Sequence, residues 1–152
     1  MTVGLAASIH ARLLNRAKAR GEDFNLVLTR YALERFLYRL SLVSARETYW
    51  LKGAMLFDLW FDVPHRPTRD ADFLGFGPMD IEALTGTIRE ICGVAVDDGM
   101  VYDPDSITVE EIRDVDIMAD ETLAAGALSS LYVSAIAEAK AKNGTMNFAS
   151  GG

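Results

Sequence analysis

Two aspartates separated by one alanine, Asp70-Ala71-Asp72, run directly into Phe73-Leu74-Gly75-Phe76. The residues from 71 to 76 read as a strand, ended by Gly77 and Pro78. On a strand, residues i and i+2 point to the same side, roughly 7 Å apart. Two carboxylates so placed repel one another, and aspartate is a poor strand former. Something must offset that repulsion, and a pair of divalent cations bridged by carboxylate does so. Such a site suits phosphoryl or nucleotidyl transfer, in which the metals steady the attacking and leaving oxygens. An isolated Asp-x-Asp is better read as a solvated turn, and Arg69 could pair with Asp70. The surroundings therefore decide.

Upstream, Thr48 to Lys52 (TYWLK) is a short run of β-formers and reads as a strand. Gly53 and Ala54 follow, then an apolar run over 55–61 that suits a buried helix, then a loop over 63–69 with two prolines. Gly53 allows the backbone to come close to a phosphate, and amides opening the next helix can bind anionic oxygen. A haloacid-dehalogenase-like site fits poorly. Its first aspartate should end a buried apolar strand, whereas Asp70 follows a polar, proline-containing loop.

The rest of the chain supplies a frame. Residues 8–20 read as an amphipathic helix with Ile9, Leu13, Leu14 and Ala17 on one face, stopped by Gly21. Residues 23–40 read as a second helix with a wide apolar face. A helix over 80–92 has Asp80 as its N-cap and Ile81, Leu84, Ile88, Ile91 and Cys92 inward. Residues 97–105 are turn-rich, and 106–113 (SITVEEIR) read as another strand. An Ala-rich stretch reads as a helix over 121–142, followed by a flexible tail over 143–152. Helices followed by alternating strands and helices point to an α+β fold with a small mixed sheet flanked by helices. One domain over 1–142 is expected, with N-terminal helices over 5–41 and a core over 48–117.

Composition narrows the function. A chain of 152 residues can bury a core of its own. A net charge of −7 argues against a protein that merely coats nucleic acid. The single cysteine, Cys92, excludes an internal disulfide and a Cys-rich zinc site, and reads as a core residue. No apolar run is long enough to span a bilayer and the N-terminus is unlike a signal peptide, so a cytoplasmic location is expected. Arg12, Arg16, Arg20, Arg30, Arg35 and Arg39 could form a basic helical surface for RNA. Solvated faces paired with Glu22, Asp23 and Glu34 are the plainer reading.

The segment LKGAMLFDLWFDVPHRPTRDADFLGFG resembles the core of the AbiEii/AbiGii toxin family of nucleotidyltransferases, first described in phage abortive infection. YALERFLYRLSL before it and DDGMVYDPDSITVEEIR after it extend the resemblance over about 26–113. The resemblance implies a DNA polymerase beta-like fold and the transfer of a nucleotide from a nucleoside triphosphate, with Mg²⁺ or Mn²⁺, to an RNA, tRNA or protein acceptor. It also implies a toxin acting beside a cognate antitoxin. Carried over by position, Asp70 and Asp72 are the metal pair and catalytic carboxylates. Lys52, Gly53 and Ala54 contact the triphosphate, and Arg66 and Thr68 belong to the stretch leading into the pair. The family's third carboxylate has its candidate in Asp116, within Val115-Asp116-Ile117. Glu110 or Glu111 is the rival, and the remaining alternative is that no third ligand exists. The chain looks shortened relative to the family, both before Asp116 and at its C-terminal end, so an inactive domain that only binds nucleotide or a partner is the alternative function.

Overall fold

The computed structural model describes residues 3–60, 69–109, 130–134, 137–142 and 145–150. Helix α1 (Val3–Arg20) begins five residues earlier than the apolar spacing alone indicates. It ends where Gly21 takes a φ of 64°, with the Glu22 amide donating to the Ala17 carbonyl at 3.0 Å. Helix α2 (Phe24–Leu42) follows at once, because the Asp23 side chain accepts from the Leu26 amide at 2.9 Å and caps it. Strand β1 (Tyr49–Lys52), helix α3 (Ala54–Trp60), strand β2 (Asp70–Gly75) and helix α4 (Ile81–Gly93) come next. Asp80 caps α4 by accepting from Ala83, as the sequence indicates.

The main core lies where α2, α3 and α4 meet β1 and β2. Leu33, Phe36 and Leu40 of α2 pack with Tyr49, Met55, Ala71, Phe73, Leu84 and Ile91. A second cluster joins α1 to α2 through Leu28, Ala32 and Met100, with Ile9 and Leu13 against it. Burial of these side chains from α2 on both sides explains its wide apolar face.

β1, β2 and β4 (Ser130–Ser134) form an antiparallel sheet with β2 in the middle. β3 (Met100–Tyr102), β6 (Thr145–Ser150) and β5 (Ala137–Lys142) form a second, mixed sheet with β6 in the middle. The fold is α+β, as expected.

Four expectations need correction. Ile81 is 51% exposed rather than inward, because it opens α4 before that helix reaches the core. The strand expected over 106–113 is not formed over 106–109; Ser106 closes a 3-10 turn that begins at Pro104, with the Asp103 side chain accepting from the Asp105 amide. The neighbouring strand is β3 instead. Over its described residues, the expected helix at 121–142 is extended. Leu131-Tyr132-Val133 are β-formers, and 137–142 alternate alanine with Glu138, Lys140 and Lys142, a period of two rather than 3.6. The expected flexible tail contains β6, whose Met146 and Phe148 alternate in the same way.

Candidate functional site

β2 buries every second residue: Ala71, Phe73 and Gly75 face the core, and Asp70, Asp72 and Leu74 face the other way. This alternation places the two carboxylates on one face. β1 pairs antiparallel with β2, Lys52 opposite Asp72 and Trp50 opposite Leu74. Opposed residues of an antiparallel pair project to the same side, so Trp50, Lys52, Asp70 and Asp72 share a face. A basic residue is thus in register with an acidic one on the face that the two strands share.

Gly53 joins β1 to α3 with a φ of 75°. A Cβ there would overlap Asp72 Oδ2 and sit 3.1 Å from its Cγ. The glycine is thus required twice, for a left-handed backbone and for the space that Asp72 occupies. Its carbonyl accepts from the Leu56 amide at 3.1 Å and the Phe57 amide at 3.4 Å, which ties the first turn of α3 to the same junction. Ala54 opens that turn. Lys52, Gly53 and Ala54 at the β1–α3 junction therefore lie alongside Asp70 and Asp72 of β2.

On its other side β2 pairs with β4, with Asp70 in register with Ser134 and Asp72 with Tyr132. Neither β1 nor β4 carries an acidic residue. Among the described residues, no three His, Cys, Asp or Glu side chains come together to hold a metal. Asp116, its rivals Glu110 and Glu111, and Arg66 and Thr68 lie outside the described residues.

Sequence reasoning missed a charged cluster elsewhere. Arg39 is 2% exposed and forms a two-pronged pair with Asp98, at 2.8 Å and 3.0 Å. Arg39 also donates to the carbonyls of Val94 and Met100, and Arg35 donates to Asp98 at 2.7 Å. The guanidinium of Arg39 lies 4.9 Å from the Tyr102 ring. Burial pushes the Asp98 carboxyl up, but hydrogen bonds from Arg39, Arg35 and the Met100 amide outweigh it and hold the group below its usual range. Two of the six arginines considered for an RNA surface therefore clamp α2 to the turn before β3. The available signal was the i, i+4 spacing of Arg35 and Arg39 together with Asp98-Gly99, a turn dipeptide. Cys92 is half-buried, and burial pushes its thiol up to about 11, in keeping with a packing role rather than a nucleophilic one.

No helix of the described residues is long and apolar enough to cross a membrane. A family model described as nucleotidyl transferase AbiEii toxin, type IV TA system, matches residues 35–136. No curated protein and no solved structure matches the chain.

Proposed function

Since the chain belongs to the AbiEii nucleotidyl transferase toxin family of a type IV toxin–antitoxin system, we propose that the face shared by β1 and β2 is its nucleotide-transfer site. The observation that carries this reading is the close approach of Gly53 to the Asp72 carboxylate, on a strand pair that puts Lys52 in register with Asp72. The donor set is all oxygen, which suits a hard cation such as Mg²⁺ or Mn²⁺. Asp70 and Asp72 would hold it. Once bound, the ion neutralises charge on the phosphates and makes the acceptor oxygen a better nucleophile.

The chain's own residues do the rest. Lys52 offers a positive charge to a phosphate oxygen, and Gly53 and Ala54 contact the triphosphate at the turn into α3. The acceptor hydroxyl gives up its proton to solvent as its oxygen bonds to the α-phosphorus of a nucleoside triphosphate, and the bond from that phosphorus to the bridging oxygen breaks to release pyrophosphate. Arg66, Thr68 and Asp116 complete the proposal as further phosphate contacts and as the third carboxylate. The acceptor is an RNA, tRNA or protein, the protein acts in the cytoplasm, and a cognate antitoxin is its partner.

A second reading is favoured by the lack of any acidic residue on β1 and β4. On that reading the domain binds nucleotide without turning it over. Thermal unfolding with Mg²⁺ and each nucleoside triphosphate tests the site itself, because a ligand of the folded state raises stability by mass action. The expected result is a rise in melting temperature that is lost in Asp70→Asn. No rise with any of the four triphosphates would overturn the assignment.

A further inference from the structure

The site face has a second end. Trp50 is 62% exposed and Phe76 is 43% exposed, and their rings stand edge-on with centroids 5.1 Å apart at 65°. Their positions are set by backbone. Trp50 sits within β1 opposite Leu74, and the Phe76 amide donates to the Thr48 carbonyl at 2.9 Å, continuing the ladder past the end of β2. Trp50 and Lys52 are two residues apart on one strand, hence on one face and roughly 7 Å apart. One continuous surface therefore carries Lys52 and the aspartate pair at one end and two aromatic rings at the other.

A nucleoside triphosphate has the same polarity, with a polyanion at one end and a flat π-system at the other, joined by one ribose. We infer that Trp50, with Phe76 bracing its edge, stacks on the base of the incoming nucleoside triphosphate. The inference rests on the nucleotide-transfer reading above and names the part of the face that takes the base. Large aromatic side chains gain by burial, and Trp50 exposes the most among the large hydrophobic side chains described. Stacking tolerates any base, because each presents a π-face, so this platform sets affinity rather than base choice.

The test is calorimetric titration of the full chain, in Mg²⁺, with ATP, CTP, GTP and UTP and with inorganic tripolyphosphate, which has no base. A short single-stranded RNA is titrated in parallel. Trp50→Ala is expected to weaken all four nucleotides by roughly 5- to 150-fold while tripolyphosphate affinity stays unchanged. Trp50→Phe is expected to recover most of the loss. If Trp50→Ala leaves nucleotide affinity intact while nucleotides and tripolyphosphate both bind the unmutated chain, the stacking role is wrong and the phosphate site stands. A loss of tripolyphosphate binding as well would make Trp50 a structural residue and overturn the inference. A loss confined to the RNA would assign the rings to the acceptor instead. If neither nucleotide nor tripolyphosphate binds the unmutated chain, the transfer-site reading fails and takes the inference with it.

Discussion

The α-carbon of Gly53 packs against the carboxylate of Asp72 with no room between them for a methyl group. Gly53→Ala is therefore expected to do two things. The left-handed backbone costs about 1–2 kcal/mol with a side chain present. The displaced carboxylate should also abolish nucleotide-dependent stabilisation. Gly21→Ala is the control, because Gly21 has a φ of 64° with open space around it. It should lose stability to a similar degree and keep nucleotide binding. Chemical denaturation and nucleotide titration of both variants separate the two effects.

The aspartate pair makes its own prediction. Mg²⁺ or Mn²⁺ alone should raise the melting temperature modestly by relieving the repulsion between Asp70 and Asp72, and Asp70→Asn should remove that response. An unmutated chain whose melting temperature ignores both ions would refute the metal assignment.

Much of this site could be read from the residues because it depends on local patterns. The alternation of Asp70, Asp72 and Leu74 with Ala71 and Phe73 follows from strand geometry, and the N-caps at Asp23 and Asp80 follow from short-range hydrogen bonding. What could not be read depended on distant partners. Arg39 looks like a surface residue on a helix until Asp98, 59 residues later, folds against it. Residues 130–142 have the alanine content of a helix, yet β2 offers β4 a ladder of backbone hydrogen bonds. Asn143-Gly144, a strong hairpin dipeptide between two alternating runs, was the overlooked local signal there.

The buried pair of Arg39 and Asp98 should govern acid stability. The Asp98 carboxyl is held below its ordinary value in the folded chain, so folding favours its charged form. Its contribution is present above the unfolded value near 4 and is lost as pH falls through the lower folded value. Asp98→Asn should flatten that acid part of the stability curve. Arg39→Met should cost about 3–5 kcal/mol at neutral pH, because it leaves a buried carboxylate without its main partner. Denaturant titrations across pH measure both.

Cys92 should be slow to react. Burial pushes its thiol up to about 11, so few thiolates exist at pH 8. Iodoacetamide at that pH should label the native chain far more slowly than the denatured chain. Equal rates would show that Cys92 is exposed.

Transfer of a nucleotide at Asp70 and Asp72 is read from the movement of label. The purified chain is incubated with Mg²⁺, total tRNA and each α-labelled nucleoside triphosphate, beside an Asp70→Asn/Asp72→Asn double variant. Label passing to RNA or to protein with the unmutated chain alone is the predicted result, and it identifies the nucleotide at the same time. A folded chain that transfers no label to either would rule out transfer at this site and leave a domain that binds nucleotide without using it.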